Sequence, residues 1–144
     1  TDAKPTIWQG DTEDAKGKWL LVPNASIMKA GVFGELSHEY GIDMLCHDSH
    51  LYIKEHDVPD FPGRRFRIDR ATTMNKKELR KALDGIVQAN VSARNFPMSA
   101  EALRKRLRLK DGGDTYVFAT TMGGGKHVVF VCHAMLSQCH TDKN

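Results

Sequence analysis

Cysteine is scarce in this chain: Cys46, Cys132 and Cys139 are the only three among 144 residues. So few and so scattered a set excludes a disulfide framework and predicts a reducing, cytoplasmic home. No apolar run approaches the ~20 residues a membrane-spanning helix needs, so no membrane partner is expected. No basic stretch followed by an apolar one at the N-terminus resembles a signal peptide. Internal repeats and low-complexity tracts are absent too. The glycine clusters Gly112-Gly113 and Gly123-Gly124-Gly125 lack the G-x-G-x-x-G spacing and the strand-then-helix setting of a dinucleotide loop. The second cluster lies between two apolar runs and reads as a hairpin turn.

With 40% hydrophobic and 27% charged residues, the composition is that of a globular protein. A chain this long can bury roughly 68–70% of its unfolded surface, as one domain or as two small units sharing a core. The first residue is Thr1 rather than methionine, as expected of a fragment or a processed form.

The net charge of +3 hides an asymmetry. Residues 1–63 carry five Lys/Arg and eleven Asp/Glu, a balance of −6, whereas residues 64–110 carry fourteen and four, a balance of +10. Residues 111–144 return to −1. Local pairing with Glu78, Asp84 or Glu101 on solvated helix faces is the plainer reading of the basic stretch. Four acids cannot neutralise fourteen bases, however, so the excess points to a polyanionic partner. The sign change coincides with Pro59, Pro62 and Gly63, which mark a unit boundary.

Periodicity supplies the elements. Ile7 to Gln9 reads as a short strand, and Lys18 to Val22 as a better one stopped by Pro23. Asn24 caps a helix over 24–40 through Ile27, Met28, Val32, Leu36 and Tyr40, although Gly31 and Gly34 weaken it unless something packs closely there. Past the boundary, strands are predicted at 65–70, 91–96, 115–121 and 126–133, with helices at 75–89 and 99–108. Phe66 and Ile68 alternate inward with arginines outward. Leu79, Leu83, Ile86 and Val87 form one helix stripe, and Leu103 and Leu107 another. Asp111-Gly112-Gly113-Asp114 reads as a turn. The result is an α+β fold, a two-layer sandwich of β-α-β-α-β-β order with both helices on one face. Residues 137–144 read as a flexible tail.

No catalytic constellation stands out. Cys46-His47-Asp48-Ser49-His50, with His56 nearby, lacks the paired spacing of a structural zinc site, so no metal is expected. Cysteine nucleophile chemistry needs a partnered base that the sequence does not show. Val22-Pro23-Asn24-Ala25 has the wrong order for the Asn/Asp-Pro-Pro-Tyr signature of amino-group methyltransferases. A strand end followed by a helix cap accounts for it.

The basic residues are the informative feature. Lys76, Lys77, Arg80 and Lys81 crowd a helix start, Arg94 a strand, and Arg104, Lys105 and Arg108 a second helix. Such an array neutralises phosphates without reading base sequence. Phe96 reads as core rather than as a stacking platform, which favours shape or backbone recognition over single-strand base readout.

Specific stretches also carry a resemblance. Trp19-Leu20-Leu21-Val22-Pro23-Asn24-Ala25-Ser26-Ile27-Met28-Lys29-Ala30-Gly31, Ser49-His50-Leu51-Tyr52, Asp60-Phe61-Pro62-Gly63, Arg94-Asn95-Phe96-Pro97-Met98-Ser99 and Asp111-Gly112-Gly113-Asp114-Thr115-Tyr116-Val117-Phe118 resemble the C-terminal region of a bacterial family. That family is the class I S-adenosylmethionine-dependent methyltransferases ending in a THUMP-like domain. The likeness runs from about Lys18 to His133. It implies the end of a ferredoxin-like module at 1–60 and a THUMP-like domain at 61–136. It also implies an accessory region that binds structured RNA, transfer or ribosomal, and presents it to the parent's methyltransferase domain. The alternative is a docking module whose basic face packs on that catalytic domain or on an acidic protein. S-adenosylmethionine is then expected in the parent's catalytic domain, with no cofactor and no catalytic residue in this chain. The three strand-to-helix crossings, at 22–24, 72–75 and 96–99, contain no glycine to cradle such a cofactor.

Overall fold

The computed structural model describes residues 3–135. Strand β1 (Trp19–Pro23) leads through helices α1 (Ala25–Ala30) and α2 (Phe33–Tyr40) to the short strands β2 (Asp43–Met44) and β3 (Tyr52–Lys54). Then come β4 (Gly63–Thr73), α3 (Lys76–Ala82), β5 (Gln88–Ala93), α4 (Ala100–Arg106), β6 (Lys110–Met122) and β7 (Lys126–Ala134). All seven strands join one sheet in the order β2-β3-β1-β4-β7-β6-β5. Among the strands of the described residues, only β5 and β6 pair in parallel, with α4 as their crossover.

The β-α-β-α-β-β order from β4 onward is the one the periodicities predict. Strands β6 and β7 are buried on both faces over Val117–Thr120 and Val128–Cys132, which is why they read as continuous apolar runs. Alternation splits them. Val117, Ala119 and Val129 pack with Leu79 of α3 and Leu103 of α4. Phe118, Met122, Val128, Phe130 and Cys132 pack on the opposite face with Leu20, Val22, Phe66 and Ile68. That second face is covered by Leu45, Leu51 and Ala15, with Trp8 packed against the group. A third cluster unites Leu21, Tyr52 and Phe61 with Leu36 of α2.

Four sequence expectations change. The helix over 24–40 is two helices: Gly31, at φ 68°, closes α1 with its N–H on Ile27 O, a left-handed cap that few other residues adopt without strain. Gly34 is needed for another reason, because a Cβ there would stand 1.9 Å from the Ala3 carbonyl oxygen. The N-terminal segment crosses α2 at this point, where Thr6 N–H donates to Ser37 Oγ. That segment forms a single parallel bridge, Ile7 to Met44, instead of a strand. Helix 75–89 stops at Ala82, followed by a turn, and the next strand spans 88–93 and ends where Asn95 turns left-handed. Asp111–Asp114 is no connecting turn; it lies within β6, where the pairs Ala89–Asp111 and Asn90–Tyr116 enclose a bulge. The segment 123–125 is the β6–β7 hairpin turn, and residues 136–144, including the expected tail, lie outside the described residues.

Phe130 is fully buried. Phe130→Ala lowers unfolding stability by about 3–5 kcal/mol in a urea titration, whereas Val87→Ala, at 72% exposure, stays within about 0.5 kcal/mol.

Candidate nucleic-acid interface

Helix α3 begins where Asn75 Oδ1 accepts from the N–H groups of Lys77 and Glu78, at 3.0 and 3.2 Å. The Glu78 carboxylate is drawn back to the Thr73 hydroxyl at 2.7 Å and forms no ion pair with the helix's bases among the described residues. Lys76, Lys77, Arg80 and Lys81 are all exposed, and Leu79 alone turns inward. Arg80 and Lys81 fall in the last turn of this seven-residue helix, where cations oppose the negative end of its dipole. Lys81 also lines a cleft of about 890 Å³ with Arg70, Lys126 and the acidic segment Asp11, Glu13 and Asp14. The negative and positive parts of the chain meet in that cleft.

Helix α4 starts at Ser99, whose Oγ accepts from Ala102 N–H at 3.1 Å. Its bases are only partly free. Arg104 holds both oxygens of Glu101 and donates to Leu109 O at 2.9 Å. Lys105 stands 3.9 Å from Glu101, while Arg106 and Arg108 are exposed and carry no ion pair among the described residues. Because Leu79 and Leu103 share one cluster, the outward sides of α3 and α4 lie over the same face of the sheet. Lys76, Lys77, Arg80, Lys81, Lys105, Arg106 and Arg108 thus belong to one layer. Arg104 sits in that layer too, but its guanidinium is committed to the fold.

Arg94 stands apart. Its N–H extends the β5–β6 ladder by bonding Ala119 O at 2.9 Å. Val91 packs in the cluster under the helices, so alternation turns Arg94 to the opposite face. Burial pulls its pKa down. The charge count also conceals the arginines of β4. Arg65 pairs with Asp57, and Arg67 lies over the Trp19 ring at 5.2 Å. Arg64 lies 4.9 Å from both the Phe66 and Tyr116 rings, and Arg70 donates to the carbonyls of Ala82 and Asp84. These four bases sit on a strand whose partners count for more than its charge, a distinction that requires three-dimensional contacts.

The other motifs have structural explanations. Ser49, fully buried, donates to Cys46 O and accepts from the N–H groups of Cys46 and Leu51, which shapes the 46–50 turn. No group of three or more His, Cys, Asp or Glu among the described residues could hold a metal ion. No helix among them is long and apolar enough to cross a membrane. Asn24 caps α1 through Ile27 N–H at 3.0 Å, and Pro23 pairs with Gly63 at the end of β1. Cys132 is buried, with its thiol pushed well up by that burial.

A strand-helix-strand-helix-strand-strand unit with a basic helix layer, joined to a smaller α/β segment, defines the structural class. The chain belongs to the THUMP domain-like family, whose model matches residues 63–134, and a ferredoxin-like domain model matches residues 19–62. It is 26% identical, over 121 residues, to uncharacterized S-adenosylmethionine-dependent methyltransferases of two Mycobacterium tuberculosis strains, CDC 1551 / Oshkosh and H37Rv. That likeness covers 81% of this chain, and the chain spans about a third (33%) of the length of those curated relatives. A solved candidate methyltransferase from Porphyromonas gingivalis W83 superposes with a TM-score of 0.77 at 31% identity, over 90% of this chain and 32% of its own.

Replacing the Asn75 cap by Ala costs about 1 kcal/mol, and Asn75→Ser recovers most of it in the same thermal melt. Equal losses for both replacements contradict the capping role.

Proposed function

We propose that this chain is an accessory region of a methyltransferase that binds structured RNA and presents it to the catalytic domain of that protein. The observation that carries this reading is the exposed basic layer of α3 and α4, with Lys76, Lys77, Arg80 and Lys81 free of ion pairs among the described residues. It lies within a unit that belongs to the THUMP domain-like family, and the match covers about a third (33%) of the length of its methyltransferase relatives. Cations on short helices, with no aromatic platform among them, suit phosphate backbones rather than splayed bases. The contacts fall to Lys76, Lys77, Arg80, Lys81, Lys105 and Arg108, with Arg106 added and Arg104 serving as their support.

The methyl-donor cofactor belongs, in this reading, to the parent's catalytic domain. Supporting this, the crossings β1–α1, β4–α3 and β5–α4 run through residues 24, 74–75 and 94–99, which include no glycine. A class I cofactor needs glycine there so that the backbone can approach the ligand. Calorimetric titration of this chain with S-adenosylmethionine gives only heat of dilution; a low-micromolar dissociation constant overturns the assignment.

Fluorescence anisotropy with a structured RNA tests the binding. The log–log salt slope is about −0.7 to −0.9 per phosphate neutralised, so replacing Lys76, Lys77, Arg80 and Lys81 by Ala flattens it by about 3. Exposed substitutions of this kind leave the fold intact. Absence of RNA binding, with tight binding to the isolated catalytic domain, favours a docking module instead.

A further inference from the structure

Strand β4 outruns its neighbour β1. It pairs with β7 as far as Thr73, but on its other edge β1 covers only Gly63–Arg67. The chain leading into β1 stays beside β4 to Ile68, whose carbonyl accepts from Gly17 N–H at 2.8 Å and whose N–H donates to Lys18 O at 2.9 Å. Past that point no strand among the described residues pairs with the β1-side edge of Arg70–Thr73. An unpartnered strand edge presents a row of backbone N–H and C=O groups. Residues 70–73 line the cleft of about 890 Å³ already described, which therefore opens where the sheet steps down by one strand.

The two charge signs of the chain face each other across this opening. Asp11, Glu13 and Asp14 come from the segment before β1, whose Ala15 is buried in the core cluster around Phe130 and anchors it. Lys81 of α3 and Lys126 of β7 come from the basic side, and Lys16 follows the acidic segment. All six side chains are exposed, and no ion pair joins acid to base across the cleft among the described residues. Asp14 Oδ2 accepts from Asp11 N–H at 2.9 Å, which fixes the acidic segment as a wall. The other two charged lining residues are committed elsewhere, Arg70 to the carbonyls of Ala82 and Asp84, and Glu78 to the Thr73 hydroxyl. The volume falls within the roughly 300–1,000 Å³ of small-molecule clefts. Such polarity suits a ligand that is anionic at one end and carries N–H donors at the other.

We propose that this cleft takes one unpaired nucleotide of the bound RNA, with its phosphate toward Lys81 and Lys126 and an amino-bearing base toward Asp11 and Glu13. The proposal rests on the RNA-binding reading and goes beyond it by assigning a base contact. Lys81 belongs both to α3 and to the cleft, so a backbone crossing the helix layer reaches the opening. Carboxylates accept from an exocyclic amino group such as cytosine N4, whereas uracil offers a carbonyl oxygen at that position and is repelled. A base in a duplex has that amino group engaged, so the nucleotide is an unpaired one. The helix layer attracts the backbone, and the cleft distinguishes the base.

Amide spectra of the 15N-labelled chain, titrated with cytidine and uridine monophosphates, test it. Cytidine monophosphate shifts the amides of residues 11–16, 70–73 and 126 saturably, and uridine monophosphate binds about tenfold more weakly. Inorganic phosphate at matched ionic strength moves only the amides near Lys81 and Lys126. No saturable shift with the cytidine nucleotide, equal affinity for the two nucleotides, or shifts confined to other parts of the chain overturns the proposal. Asp11→Asn combined with Glu13→Gln, both on the surface, removes the preference for cytidine, whereas Lys126→Gln weakens both nucleotides alike. A double variant that keeps the full preference overturns the assignment of the base to the acidic wall. A hairpin RNA with a single-stranded cytidine overhang binds more tightly than the same hairpin with uridines, and the double variant binds the two alike. Equal binding of both hairpins to the unaltered chain defeats the cleft and leaves the helix layer standing. A cytidine nucleotide response in a chain that binds no structured RNA defeats the RNA reading, and with it the assignment of the nucleotide to RNA.

Discussion

Strand β4 hydrogen-bonds on both edges, to β1 through Trp19–Pro23 and to β7 through Val128–Ala134. The rest of the architecture depends on that double pairing. It fuses the segment at 19–62 and the segment at 63–134 into one seven-stranded sheet. The inward residues Phe66 and Ile68 complete the cluster around Phe130, so the two segments share a core as well as a hydrogen-bond ladder. A bulge at Asp69 interrupts the register between Ile68 and Arg70, and Asp69 there meets His133 Nδ1 at 2.8 Å. Loss of this strand would separate the segments and expose apolar faces of both.

The same strand explains why net charge is a poor guide to the binding surface. Four of the fourteen bases between 64 and 110 lie on β4, where an ion pair, aromatic rings and helix-end carbonyls engage them. Arg104 is likewise tied to Glu101 and Leu109. What remains for a partner is mostly lysine and arginine on short helices whose apolar sides are fixed in the sheet's core. Such a layer attracts a polyanion over a distance set by salt and imposes little register.

Much of the fold was legible because its signals are local. The apolar run Val128–Cys132, the alternation around Phe66 and the cap at Asn24 all declare their elements from neighbouring residues. The misread points depend on distant partners. Gly34 weakens a helix until the Ala3 backbone is seen crossing it. Asp111–Asp114 reads as a turn because its glycines outweigh the pairing of Lys110 and Asp111 with Gln88 and Ala89 twenty-odd residues earlier. At the candidate interface, the α3 bases were legible from their crowding at a helix start. The isolation of Arg94 was not, since the face it turns to depends on a register with β6.

In the function proposed above, the outward side of α3 and α4 carries RNA. Ultraviolet crosslinking of the chain to a structured RNA, followed by peptide mapping of the adducts, tests it most directly. The predicted result is adducts concentrated on peptides spanning residues 75–82 and 104–110, lost in high salt. Adducts confined to residues 11–60, or none under conditions where the RNA is bound, would contradict it.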